Sequence, residues 1–257
     1  MAQLASFLGY RELLRNLVSR EVKLQYRGSA LGFFWSLLHP LMLVVIYSVA
    51  FRFIMRIPLS NYPLFILAGL LHWQLFATAT QSATRTMLSN GALIRKLYFP
   101  RLVLPLAVVA FQGIQLLLAV AVMMVAYVPL GGEFWMGLLA YPLVLVLQTA
   151  FVIGIALMVS VLNVFYRDLE HLVEVGLKLL FWLTPIIYNF TMIPQWAQVW
   201  FRLNPMMPFA ISYQNLFYQQ EWPDPRNWLL MALWAVGSLA LGTYVFRRLE
   251  HRVAEEL

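Results

Sequence analysis

Cysteine is absent from the 257 residues, which excludes a disulfide framework and any thiolate metal site. Lysine is scarce: Lys23, Lys96 and Lys178 are the only three. None sits in the G-x-x-x-x-G-K-[ST] pattern that wraps nucleotide phosphates, so the chain cannot hydrolyse nucleotide by that route. H-E-x-x-H and G-x-S-x-G are missing as well. Above all, charge is missing over long stretches. Residues 28–51, 57–84, 102–132, 134–166, 179–201 and 227–246 contain no Asp, Glu, Lys or Arg. A helix needs about 20 apolar residues to cross the hydrocarbon core, so six such windows describe an all-α polytopic membrane protein. Their lack of any acid argues against a proton- or sodium-coupled carrier.

Composition agrees, at 62% hydrophobic, 11% charged and a mean hydropathy of +0.74, values that a soluble domain of this size could not carry on its surface. The net charge of +7 would suit nucleic acid, but its placement does not. The cations cluster at the ends of the apolar windows, where anionic headgroups are the nearer partner. With the N-terminus in the cytoplasm and six spans threaded, fourteen of the 18 cations fall inside. Only Arg52, Arg56, Arg202 and Arg226 fall outside. That bias makes both termini cytoplasmic and the chain a multi-pass membrane protein.

One domain is expected over 1–257. Residues 1–30 do not read as a cleavable signal. Tyr10, Leu13, Leu14, Leu17, Val18 and Val22 recur at helical spacing against Arg11, Arg15, Arg20 and Lys23, predicting an amphipathic helix in the inner interface. Spans one to five occupy 31–190: about 31–51, with a kink at His39-Pro40; about 62–80; about 102–128, ending at Pro129 and a Gly131-Gly132 turn; about 134–162, long enough to tilt or break; and about 175–190, stopping at Pro185. Span six covers 227–246, and 247–257 form a cytoplasmic tail.

Residues 191–226 are too broken by proline to span freely and too apolar for an aqueous loop. An outer re-entrant helical hairpin fits them, because irregular backbone at membrane depth must be shielded by protein. His39 and His72 are the only histidines in the first two spans, and their expected role is interfacial hydrogen bonding. Asp168, Glu170, His171 and Glu174 follow the spacing of a solvated helical face. No metal site is expected.

Two cytoplasmic connections carry a purposeful pattern. Arg85 to Leu106 includes the basic, aromatic run from Leu93 through Arg95, Lys96 and Tyr98 to Arg101, and Asn163 to Glu174 includes Phe165, Tyr166, Arg167 and Asp168. Short elements that alternate charge with exposed aromatics suit insertion into a cleft of a soluble motor, and positive-inside loops with interfacial aromatics have the same composition.

These segments carry a resemblance. Leu31 to Trp35 after a basic helix, Gly69-Leu70-Leu71 before Trp73, Ile94 to Pro105, Asn163 to Asp168, the run Phe181 to Tyr188, and Asn204-Pro205 occur in an order and spacing that resemble the permease subunit of type-2 ABC exporters of cell-surface polysaccharide, such as O-antigen, teichoic acid or capsule. His39 before Pro40 and His72 before Trp73 depart from the usual pattern.

The resemblance implies a homodimer on two copies of a separate ATPase, which binds the ATP and Mg, so that this chain is not an enzyme and holds no cofactor of its own. It makes Arg95, Lys96, Tyr98, Phe165, Tyr166, Arg167 and Asp168 the coupling residues. The substrate it implies is a glycan on a polyprenyl diphosphate, most simply O-antigen. Sugars slide over aromatic faces by weak repeated contacts, which makes Phe33, Phe34, Trp35, Tyr47, Phe181, Trp182 and Tyr188 candidates for the glycan path, although aromatic belts at the interface use the same residues. Arg27, Arg95 and Lys96 are candidates for holding the lipid diphosphate. A drug- or lipid-exporting permease of the same superfamily is the nearest alternative, and a membrane-embedded lipid-sugar transferase the more distant one.

Overall fold

A chain this apolar can satisfy its peptide groups in a bilayer only as helices or as a closed barrel, and helices are what form. The computed structural model describes residues 11–26, 34–47, 49–50, 61–96, 99–128 and 132–256. Among these there is no strand. The helices are α1 (Arg11–Tyr26), α2 (Phe34–Tyr47), α3 (Tyr62–Ser89), α4 (Gly91–Lys96), α5 (Val103–Tyr127), α6 (Tyr141–Phe165), α7 (Leu169–Trp182), α8 (Gln195–Arg202), α9 (Met207–Gln214), α10 (Pro225–Leu249) and α11 (Val253–Glu256). The protein is an all-α polytopic membrane protein.

Among the described residues four runs are long and apolar enough to cross a membrane: α3, α5, α10, and α6 together with the 3-10 turn at Met136–Ala140 that precedes it. Pro142 falls in the first turn of α6, where its missing N–H costs nothing, so the α-helix starts there and not at 134. The second expected span proves longer than read, because no Pro or Gly interrupts 81–89, and α3 continues to Ser89 over 28 residues. Arg85 therefore rides on that helix, not on a connection. Spans one and five are represented by α2 and α7, each 14 residues in the described chain. α2 continues through Pro40, and α7 covers 169–182, so it starts earlier and stops sooner than expected over 175–190.

α3, α6 and α10 run in one direction. Gln148 of α6 donates to the carbonyl of His72 in α3, the rings of Phe76 and Phe151 stack 5.5 Å apart one turn further on, and Gly154 of α6 meets Ser238 and Gly242 of α10. The main core lies between α3, α5, α6 and α9, built on Phe65, Leu71, Phe151, Phe209 and Phe217. A second cluster closes the end where most cations gather, with Leu17, Met87, Ile94, Phe99, Leu104, Val164, Phe246 and Val253. α1 is amphipathic as read: Leu17 enters that cluster, while Arg15, Arg20 and Lys23 are exposed. Away from these cores α5, α6 and the middle of α10 expose apolar residues: Ile114, Leu117 and Val125 on α5, Leu143 and Val146 on α6, Leu229, Leu233 and Val236 on α10. Such surfaces are at home against acyl chains.

Among the described glycines, those where α6 and α10 cross stand closest to the backbone of another helix. A Cβ on Gly154 would lie 2.2 Å from the backbone carbon of Ser238, and one on Gly242 would lie 2.0 Å from the Gly154 carbonyl oxygen. Because backbone cannot step aside locally, Gly154→Val must push the helices apart, at roughly the 1–3 kcal/mol typical of overpacking. Gly237 has nothing within 4 Å of a would-be Cβ, so Gly237→Ala is the control. Thermal unfolding of the detergent-purified protein should show a clear loss for Gly154→Val and none for Gly237→Ala.

Candidate functional site

Three polar arrangements interrupt the apolar interior, and each fixes one element. The first is built on His72. It was expected near an interface, but it is the eleventh residue of α3 and only 1% exposed. The error arose from placing it by distance to a window edge; burial is decided by α6 and α9, which pack over it. Its Nδ1 lies 2.7 Å from the Ala68 carbonyl, which can only accept, so Nδ1 carries the hydrogen. Nε2 is then free to accept from the Tyr141 hydroxyl at 3.3 Å. The Tyr213 ring stacks on the imidazole with centroids 3.4 Å apart and planes 13° from parallel. Tyr213 donates its hydroxyl to Gln148 Oε1 at 2.7 Å, and Gln148 Nε2 donates to the His72 carbonyl at 2.7 Å. The loop of bonds ties α3, α6 and α9 together with each member satisfied, the condition for a buried polar network to stabilise.

The second arrangement surrounds Pro185. Proline has no N–H for the helix and disfavours helical backbone just before it, so α7 ends at Trp182 and the chain runs irregularly to Tyr188. Carbonyls released at membrane depth need other donors. Thr184 Oγ1 donates to the Leu180 carbonyl at 2.6 Å, Asn204 Nδ2 to Thr184 Oγ1 at 2.8 Å, Gln214 Nε2 to the Pro185 carbonyl at 2.7 Å, and the Tyr62 hydroxyl to the Ile187 carbonyl at 2.6 Å. Gly69 makes room: a Cβ there would stand 3.3 Å from Ile186 Cγ2. Asn204 and Gln214 belong to the segment expected as an outer hairpin, which is observed as α8, a turn, α9 and a π turn at Asn215–Gln219. α9 is buried nearly throughout, whereas α8 exposes Trp196, Val199 and Trp200.

The third arrangement is the basic end. Arg85 pairs with Glu170 at 2.6 Å, joining α3 to α7, and Arg20 donates to Asn90 Oδ1 at 3.1 Å, joining α1 to the turn before α4. Lys178 donates to Glu174 Oε1 at 2.7 Å, one turn apart on α7. Of the expected coupling residues, Arg95, Lys96, Tyr166, Arg167 and Asp168 are exposed at this end, and Phe165 is half-buried against the second cluster. Tyr98 lies outside the described residues. Asn163 is fully buried with no partner for either amide atom, which nothing in the structure explains.

The aromatic candidates divide. Phe34, Trp35 and Trp182 are exposed. Phe181 is half-buried, its ring 5.6 Å from that of Trp73, and Tyr188 donates to the Trp182 carbonyl. Phe33, the side chain of Tyr47 and that of His39 lie outside the described residues, as does Arg27. Among the described residues no cluster of His, Cys, Asp and Glu has the arrangement of a metal site. Sequence reasoning missed Gln148, Tyr141 and Tyr213. The available signal was Gln148 itself, an amide in the middle of a charge-free run.

Tyr213→Phe keeps the stacked ring and removes only the hydroxyl, leaving Gln148 Oε1 buried without its donor. That should cost about 1–3 kcal/mol, read as a drop in melting temperature of roughly 2–4 °C per kcal/mol for a chain of this size. Tyr218→Phe, on a half-buried ring outside the network, serves as the comparison for a generic loss of hydroxyl.

Residues 12–218 match the family described as ABC-2 type transporter. The chain is 32% identical over 257 residues to a protein named O-antigen export system permease protein RfbA from Klebsiella pneumoniae, with 97% of each chain covered. It is also 32% identical over 250 residues to a protein of the same name from Myxococcus xanthus, with 96% of each covered. The resemblance carried by Gly69 to Trp73, Asn163 to Asp168 and Phe181 to Tyr188 is thereby borne out over nearly the whole length. The chain belongs to the ABC-2 type transporter family.

Proposed function

We propose that this chain is the transmembrane subunit of a type-2 ABC exporter of O-antigen, moving a lipid-linked polysaccharide across the bacterial inner membrane with energy from a separate ATPase. The observation that carries the reading is the construction of the basic end. There α1, α4 and the 166–168 turn project from one apolar cluster, and Arg85–Glu170 ties α3 to the first turn of α7, next to the turn that would meet the motor. A chain without a phosphate loop needs such a surface.

In this reading the basic end is cytoplasmic, α2 and α7 belong to the first and fifth of six spans, and two copies assemble on two ATPases. ATP and Mg are bound by the partner. Tyr166, Arg167 and Asp168 insert into the ATPase, and movement there reaches α3 through the ion pair. Arg27, Arg95 and Lys96 attract the diphosphate headgroup, and the exposed rings of Phe34, Trp35 and Trp182 offer sugar-binding faces beside Phe181 and Tyr188. The residues 191–226 cover the outer end as a re-entrant hairpin. The name of the relatives favours a glycan over a drug or a simple lipid as cargo.

The permease purified alone should show no ATPase activity, and the complex should hydrolyse ATP. Replacing Arg167 and Asp168 together by Ala should lower both ATP turnover of the complex and surface polysaccharide, with the amount of permease in the membrane unchanged. Wild-type rates of turnover and export in that variant would remove the 166–168 turn from the coupling route.

A further inference from the structure

The exposed positions of α3 differ from those of every other long helix. They are Thr78, Ser82, Arg85 and Ser89, spaced four, three and four residues apart, with half-buried Gln74 and Gln81 beside them. That spacing is one helical face, and at about 1.5 Å per residue it runs for roughly 20 Å along the helix. At the depth of Thr78 and Ser82 the exposed residues of α5 and α10 are apolar, Ala110 and Ile114 on the first and Val236, Ala240 and Leu241 on the second, and α6 exposes none. Hydrocarbon offers no hydrogen bond to a hydroxyl or an amide, so one face of α3 is built for a different neighbour from the rest of the surface.

The chemistry of the face narrows that neighbour. Its single cation, Arg85, is neutralised by Glu170 at 2.6 Å, so the strip attracts neither anions nor cations strongly. What remains are groups that both donate and accept. Thr78 Oγ1 lies 2.6 Å from the Gln74 carbonyl and 3.1 Å from Gln112 Oε1 of α5, which brings a further amide to the strip. Hydroxyls and amides in a row, without net charge, match a neutral polyhydroxylated chain, whose own hydroxyls also act in both directions. Packing against a second copy is disfavoured by Arg85, whose side chain is 58% exposed and would have to be desolvated.

We propose that the Gln74–Ser89 face of α3 lines a hydrated lane in which the sugar hydroxyls of the exported polymer exchange hydrogen bonds with Thr78, Ser82 and the flanking glutamines. The proposal rests on the exporter reading and adds to the aromatic residues a polar wall. The rings bear on the apolar faces of the sugars, and the α3 strip holds their hydroxyls in contacts that water can replace, so the chain meets no deep well.

The absence of cysteine allows a direct test in cells carrying the complete exporter. Thr78→Cys and Ser82→Cys are made singly, beside Val125→Cys, which is 81% exposed on α5, and Ala79→Cys, which is buried. The probe is a charged, water-soluble methanethiosulfonate, counted by the later loss of maleimide labelling. Thr78→Cys and Ser82→Cys should react, and Val125→Cys and Ala79→Cys should not. In cells that synthesise the polymer, reaction should slow several-fold relative to cells that make none. No reaction at either strip position, or oxidation to disulfide-linked dimers in place of labelling, overturns the lane. Equal reaction with and without polymer, in cells that still export, overturns the substrate assignment and leaves the exporter reading standing. Thr78→Leu with Ser82→Leu should lower export roughly tenfold, the equivalent of losing one or two hydrogen bonds, while Ser82→Thr should preserve it; normal export by the double Leu variant at normal protein level also contradicts the proposal.

Discussion

A bilayer supplies no water to a peptide group that leaves its helix, and in this chain that constraint is concentrated at Pro185. The irregular run from Leu183 to Tyr188 persists because Tyr62, Asn204 and Gln214 bring donors to it, while Thr184 within it donates back to the Leu180 carbonyl. Those donors come from three parts of the chain, so the break in α7 fixes where the 191–226 segment docks and how the start of α3 sits. The His72 network then fastens the same docking helix, α9, to α6. Packing, not propensity, decides these positions: α9 is eight residues long and could not persist alone.

The opposite end follows another logic. Its helices are short or peripheral, and they are held by one apolar cluster and by two polar ties, Arg20 to Asn90 and Arg85 to Glu170. Exposed ion pairs add little to stability. Arg85–Glu170 is better understood by what it connects: a residue on the most buried spanning helix and one in the first turn of α7, beside the exposed Arg167 and Asp168. A push on that turn has a short path into α3, and α3 carries the polar strip.

Much of this was legible in the sequence. The charge-free windows named a polytopic helical protein, and the spacing of Leu13, Leu14, Leu17 and Val18 marked an amphipathic α1. Pro185 was read as the end of a span, and the polar residues of 203–220 as belonging to shielded irregular structure. What could not be read was pairing. Nothing local to His72 says that Tyr213 stacks on it, and nothing in Thr78, Ser82 and Arg85 says that their face is open while that of Ala79 and Ala83 is closed. Both facts depend on which helix lies alongside. The length of α3 beyond residue 80 was missed for a simpler reason: hydropathy falls where Gln81, Ser82 and Arg85 begin, although no helix breaker is present until Asn90-Gly91.

The most direct measurement of the central claim is the location of the polymer in cells from which this chain has been deleted. If it is the transmembrane subunit of an O-antigen exporter, surface polysaccharide should disappear while the lipid-linked polymer is still made and accumulates on the cytoplasmic face, and the wild-type chain should restore its passage. Unchanged surface polysaccharide after deletion, with no internal accumulation, would contradict the account.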